Sequence, residues 1–264
     1  MGCGAEFTRA WHEKNRTFIL KKYKHLFFDL DGTLWDLQSN TRTALEKLFD
    51  IYASETAGVD FEQFYKAYHH HNDRVWALYR EGKIEKESLR TIRFQRAFEE
   101  MGMTPSEKFI ESFSEEFLNI SPRQAKTLDG AHELLEYCRG RYTMHIITNG
   151  FIEVQGHKME AAQLTPYFTE IINSEHCGVR KPNPGIFEYA LKKAGATVEE
   201  SLMIGDDWDA DILGARNFGM DQVYLTATED MMNKINADAG HSPLRHNYKA
   251  TYTISHLREL QAIL

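Results

Sequence analysis

The chain has 264 residues, 42% of them hydrophobic and 12% aromatic, a composition that supports a sizeable core and excludes a disordered polymer. With 31 Lys and Arg against 39 Asp and Glu, the net charge is −8, and such a surface is a poor partner for a nucleic-acid backbone. Mean hydropathy is −0.51 and no run approaches the roughly 18 consecutive apolar residues of a membrane span, so no membrane partner is expected either.

Residues 1–22 carry Arg9, Lys14, Arg16, Lys21 and Lys22, but the apolar run among them is only Phe18-Ile19-Leu20, too short for a signal-peptide core. Met1-Gly2-Cys3 is followed by Glu6, where an acylation start requires Ser or Thr. This segment is expected to be an extension outside the fold. Cys3, Cys138 and Cys177 are odd in number, widely spaced and form no CxxC pair, which argues against a disulfide framework or a structural zinc and for a reducing, cytoplasmic setting.

The aromatic run from Tyr23 to Phe28 ends in carboxylates, as a buried strand facing a site would. Residues 38–120 then show four helical stripes with no strand between them. Leu45, Leu48, Phe49 and Tyr52 form the first, and Phe61, Phe64, Tyr65, Tyr68, Val75, Trp76 and Tyr79 the second. Leu89, Ile92, Phe94, Phe98 and Met101 form the third. Thr104-Pro105-Ser106-Glu107 reads as a capping box, with Pro in the first helical position, for the fourth. Beyond this helical block, apolar runs at Thr143–Ile147, Ile171-Ile172, Leu202–Ile204 and Gln222–Leu225 predict further strands. Helices over 131–139 and 184–194 stop at Gly140 and Gly195, and a last one is predicted after Ser255 with Leu257, Leu260 and Leu264. Residues 226–250 lack periodicity and read as a loop. The alternation predicts an α/β fold, a parallel sheet with helices on both faces, interrupted by a small all-helical insert.

Four strand ends carry chemistry. In Asp29-Leu30-Asp31-Gly32-Thr33 the two carboxylates lie two apart on extended chain and so point the same way; ordinary turn chemistry is the competing explanation. Gly205-Asp206-Asp207-Trp208-Asp209-Ala210-Asp211 packs four carboxylates into seven positions, tolerable beside a hard divalent cation such as Mg²⁺. Asp207 and Asp209 read better as helix caps, whereas Asp206 is closest to the strand end. Thr148-Asn149-Gly150 offers a hydroxyl and backbone N–H groups to an anion, and Lys181, ahead of a helix start, suits a phosphate.

Together these residues resemble the haloacid dehalogenase (HAD) superfamily: DLDGT at 29–33, Thr148 after an apolar strand, Lys181, and GDxxxxD from Gly205 to Asp211. The resemblance covers roughly 23–225 and implies a Rossmann-like core over 23–37 and 121–264, with the 38–120 block as a helical cap. It further implies phosphoryl transfer through an aspartyl-phosphate. Asp29 would be the nucleophile, and Asp31 the acid and base, its carbonyl also on the metal. Asp29 and Asp206 would hold Mg²⁺, Asp211 would act from outside the metal shell, and Thr148, Asn149 and Lys181 would hold phosphate. The aspartate at 31 favours phosphate esters over carbon–halogen bonds.

The wording FFDLDGTLWD, TNGFIEVQ and RKPNPGIFEYAL is similar to the pyrimidine 5′-nucleotidase branch. A Mg²⁺-dependent hydrolase of nucleoside monophosphates is therefore expected. A phosphosugar phosphatase or mutase is the alternative, and an inactive binding module a remote one. Trp35, beside the first motif, and Phe151, beyond Thr148, are expected to face substrate, whereas Trp76 and Tyr79 read better as bundle core. His69-His70-His71 point to different faces of a helix, cannot share one ion, and are expected on a solvated face. The connectors near 36–39 and 120–123 are expected to act as hinges.

Overall fold

The computed structural model describes residues 23–226 and 249–264; the 1–22 extension and nearly all of the 226–250 loop lie outside them. Strand β1 (His25–Phe28) is the centre of a six-stranded, wholly parallel sheet with β2 (Thr143–Thr148), β3 (Glu170–Asn173), β4 (Ser201–Gly205), β5 (Asp221–Leu225) and β6 (Tyr252–Ile254). The strand order is β3-β2-β1-β4-β5-β6. Five strands fall where the apolar runs predict them. The sixth was not foreseen, because three residues are too few to show a period; it pairs Val223–Leu225 with Tyr252–Ile254.

Alternation along each strand sends side chains to two separate cores. Leu26 and Phe28 join Ile146, Leu202 and Ile204 under helices α5 (Ala131–Cys138) and α6 (Ile152–Ala161), and under a 3₁₀ turn at Leu257–Ala262 that replaces the α-helix expected after Ser255. Phe27, Ile147 and Met203 face the other way. They pack under α8 (Pro184–Ala194) and α9 (Gly214–Phe218), with the single turn α7 (Ser174–Cys177) between β3 and α8. The sheet is thus covered on both faces, and its C-terminal edge stays open for a site.

Four helices, α1 (Leu37–Ile51), α2 (Phe61–Arg80), α3 (Lys86–Glu100) and α4 (Glu107–Ile120), form a cap inserted between β1 and β2. It has its own apolar core, in which Leu45, Leu48, Phe64, Phe94, Phe98 and Phe113 are fully buried. Asp36, Asp60 and Ser106 cap α1, α2 and α4 by accepting from Ser39, Gln63 and Phe109 backbone N–H groups. The capping box expected from Thr104 is therefore displaced: Ser106 wins the competition for the free N–H, and Pro105 lies before the helix. The two crossings between cap and core are tied together, because Asn40 Nδ2 and the Asp36 N–H both donate to the Lys126 carbonyl. None of the described helices is long and apolar enough to cross a membrane.

Candidate active site

Register brings the motif residues to one place. Phe28 lies beside Ile146 on one side and Ile204 on the other, so the residues that follow, Asp29 and Asp206, leave the sheet as neighbours where the strand order reverses. Gly32 makes the turn possible, with a φ of +84°; a Cβ there would stand 2.3 Å from Asp206 Oδ2. Thr33 Oγ1 donates to Asp206 Oδ1 at 2.9 Å. Beyond β4, Asp207 Oδ1 accepts from the Asp209 and Ala210 N–H groups and caps a π-helical turn over Trp208–Leu213. The wide turn carries Asp211 inward, fully buried.

Lys181 is the hub. Its Nζ lies 2.6 Å from Asp29 Oδ1, 2.6 Å from Asp211 Oδ1 and 2.7 Å from the Ile147 carbonyl oxygen, with the side chain 2% exposed. Asn149 clips the Lys181 turn to the end of β2: its Nδ2 donates to the Lys181 carbonyl and its Oδ1 accepts the Lys181 N–H. Its amide is thereby committed to the backbone, so of the groups expected to hold phosphate at 149 only the backbone is left. Thr148 is buried, and its Oγ1 accepts from the Gly150 N–H and from Gln155 Nε2.

Residues 23–219 match the family model of the haloacid dehalogenase-like hydrolases. The chain belongs to that family. It is 33% identical over 244 residues to the pyrimidine 5′-nucleotidase YjjG of Escherichia coli K12, covering 92% of this chain and 98% of the relative. To the pyrimidine 5′-nucleotidase PynA of Streptococcus pneumoniae R6 it is 34% identical, covering 76% and 83%. Among solved structures, the magnesium-bound HAD-hydrolase YfnB of Bacillus subtilis superposes with a TM-score of 0.76 at 25% identity, over 92% of this chain and 99% of that one.

The HAD-like core gathers three carboxylates: Asp29, Asp206 and Asp211 each place an oxygen within 4.8 Å of the others. Asp29 and Asp206 are the pair expected to hold a metal, Asp211 joins them while pairing with Lys181, and the Asp31 side chain, expected on the metal only through its carbonyl, is not in the group. Three carboxylates balanced by one ammonium leave excess negative charge in a buried site, and an all-oxygen donor set of this kind fits Mg²⁺. Burial, chiefly, pushes the Asp29 carboxyl up to about 7 against the pull of Lys181, and the carboxyls of Asp206 and Asp211 also rise.

A raised carboxyl keeps its proton in the folded chain after the unfolded chain has lost it. Metal-free stability therefore falls as pH climbs from about 4 to about 7. A cation reverses this only where the carboxyls are ionised. Millimolar Mg²⁺ is accordingly expected to raise the melting temperature by several degrees near pH 8 and by little near pH 5.5. A shift of equal size at both pH values would refute the assignment of the cation to this cluster.

Asp31 is held from α6: Lys158 Nζ lies 2.6 Å from its Oδ1, and Gln155 Nε2 donates to its Oδ2 at 2.7 Å. Sequence reasoning missed both residues. Their spacing of three, on a helix that starts just past Thr148, is the signal that would have placed them on one face toward the site. Lys158 also sits 4.4 Å above the ring of Trp35. Trp35 does not face substrate as expected: it is fully buried, donates its indole N–H to the Gln124 carbonyl, and serves to support Lys158.

Asp29, Asp31, Thr148 and Lys181 open into a cavity of about 430 Å³ whose opposite wall is the cap. Phe151 lines it and plugs the seam between cap and core, stacked on Trp76 at 5.4 Å and edge-on to Tyr79. Tyr79 is buried, as the helical stripe predicts, whereas Trp76 is only half-buried and also lines the cavity. Around Phe151, Lys86 bridges Glu153 and Glu175, Arg90 pairs with Glu153, and Arg80 with Asp207. The three histidines diverge. His70 is exposed and His71 pairs with Glu100, but His69 is half-buried and lines the cavity, contrary to the solvated face expected for all three.

Proposed function

We propose that this HAD-like hydrolase is a Mg²⁺-dependent phosphomonoesterase that releases phosphate from nucleoside 5′-monophosphates, pyrimidine nucleotides foremost, through an aspartyl-phosphate. The observation that carries the reading is the meeting of Asp29 and Asp31 in one cavity, the first paired with Lys181 and clustered with Asp206 and Asp211, the second held by Lys158 and Gln155. The nucleotide assignment is supported by the two pyrimidine 5′-nucleotidases to which the chain is similar and by an aromatic cap wall suited to a base.

In the proposed sequence, an Asp29 carboxylate oxygen attacks phosphorus and the phosphorus–oxygen ester bond breaks. Asp31 passes a proton to the departing alkoxide oxygen. Water then attacks the acyl-phosphate, Asp31 takes its proton, and inorganic phosphate leaves with Asp29 restored. Lys181 and the Thr148 hydroxyl steady the charge on the phosphoryl oxygens, and Gln155 and Lys158 keep Asp31 on the leaving-group side. Mg²⁺ held by Asp29 and Asp206, with Asp211 beside them, would neutralise the phosphoryl charge. Closure of the cap over the core, by bending at the tied crossings near 36–39 and 120–123, would keep other water from the acyl-phosphate.

Phosphate release with Mg²⁺ from a panel of nucleoside monophosphates and sugar phosphates tests this reading, with Asp29→Asn as the blank. Uridine or thymidine monophosphate is expected to exceed the sugar phosphates by tenfold or more in kcat/KM. A preference for a sugar phosphate, or a phosphorylated sugar isomer among the products in place of free phosphate, would overturn the substrate assignment and leave the family standing.

A further inference from the structure

The cap wall holds a group that the chemistry above does not use. Arg93, on α3, is 5% exposed, and a guanidinium cannot shed its charge. Among the described residues it has no carboxylate partner. Its hydrogen bonds run through Nη1 alone, to Asn72 Oδ1 at 3.0 Å and the Tyr68 hydroxyl at 3.4 Å, while Nε is buried without a partner. The rings of Phe94 and Phe117 hold it at 4.9 and 5.1 Å. Neutral partners and ring faces compensate a buried cation only in part, so among the described residues the guanidinium keeps donor capacity for a further acceptor in the cavity.

Three neighbours on α2 share the same cavity. His69 Nε2 is buried without a partner, Asp73 is exposed to the cavity, and Trp76 presents part of its ring. Arg93 lines that cavity opposite Asp29 and Asp31.

We propose that Arg93 and Asp73 recognise the base of the nucleotide, Arg93 donating to a ring carbonyl oxygen and Asp73 accepting from an adjacent ring N–H. The inference rests on the nucleotidase reading and narrows it to bases that carry a carbonyl beside an N–H, as uracil and thymine do. Asp73 decides against a second phosphate or a carboxylate in this position, since it would repel either. A donor and an acceptor lining the same cavity suit a neutral lactam edge, and Trp76 offers a flat surface on which a base stacks. The signal was present in the sequence as a charge on an apolar stripe: Arg93 stands four residues after Leu89 and four before Ala97, both buried.

The test uses the full chain with Mg²⁺ and measures kcat and KM for uridine 5′-monophosphate, 3-methyluridine 5′-monophosphate and ribose 5-phosphate. The wild type is expected to lose about tenfold or more in kcat/KM when N3 is methylated. Arg93→Met is expected to lose about 10- to 100-fold more on uridine monophosphate than on ribose 5-phosphate, chiefly through KM, with part recovered by Arg93→Lys. Equal losses on the two substrates, or indifference of the wild type to N3 methylation, would overturn the proposal. If Arg93→Met does not fold, the wild-type comparison decides alone. Turnover of ribose 5-phosphate with none of any nucleotide would remove the nucleotidase reading and this inference with it; nucleotide turnover indifferent to the base edge removes the inference only.

Discussion

Asp29→Asn is expected to abolish phosphate release, by about 10⁴-fold or more, while the protein stays folded. The amide keeps the shape of the side chain and removes the nucleophilic oxygen charge, so no residual pathway through position 29 remains. Loss of activity through unfolding is separable from this. Asp29 is one of three mutually repelling carboxylates, of which it and Asp211 are buried and Asp206 half-buried, and Lys181 keeps Asp211 and the Ile147 carbonyl when it is neutralised. The metal-free variant should therefore melt no lower than the wild type near pH 8, where the raised Asp29 carboxyl is ionised at a cost. Turnover by a folded Asp29→Asn protein would refute the aspartyl-phosphate reading.

Lys181→Met should be the most damaging single change for stability. It leaves the buried Asp29 and Asp211 and the half-buried Asp206 without their lysine, and breaking a buried ion pair on one side costs about 3–5 kcal/mol. The loss has a direction in pH. The carboxyls already hold their protons above the usual range, so the metal-free variant should recover as pH falls toward about 5 and they become neutral, and weaken again as pH rises through 7. Saturating Mg²⁺ should restore part of the stability near pH 8, and turnover should still fall about 10³-fold because Asp29 is no longer positioned. Melting curves at the two pH values, with and without Mg²⁺, check this. A variant as stable as the wild type in metal-free buffer near pH 8 would show that Lys181 is not the counter-ion of the cluster.

Much of the architecture is legible in the residue pattern alone. The apolar runs at 23–28, 143–147, 171–172, 202–204 and 222–225 are short, β-rich and separated by helical stripes, and the one further strand among the described residues, Tyr252–Ile254, has only three residues. The helical insert was legible because its stripes, such as Phe61, Phe64, Tyr65 and Tyr68, repeat at helical spacing over several turns. Trp35 departs from its expected place for a simple reason. Nearness in sequence to Asp29 and Asp31 says nothing about which side of the chain the indole takes, and the core claimed it.

The sequence by itself determined the α/β alternation, the inserted cap, the placing of Asp29, Asp31, Thr148 and Asp206 at or just past strand ends, and that of Lys181 ahead of a helix start, because these follow from local periodicity and from spacing along one strand or turn. Only the tertiary structure decided the partners of those residues: Lys181 with Asp29 across 152 positions, Lys158 with Asp31 across 127, and Asp211 drawn in beside Asp29 and Asp206. It alone decided that Arg93 and His69 turn to the cavity. The physical reason is that a side chain's hydrogen-bonding and burial depend on which distant segments the packing brings beside it. Patterns of three or four residues carry no information about that.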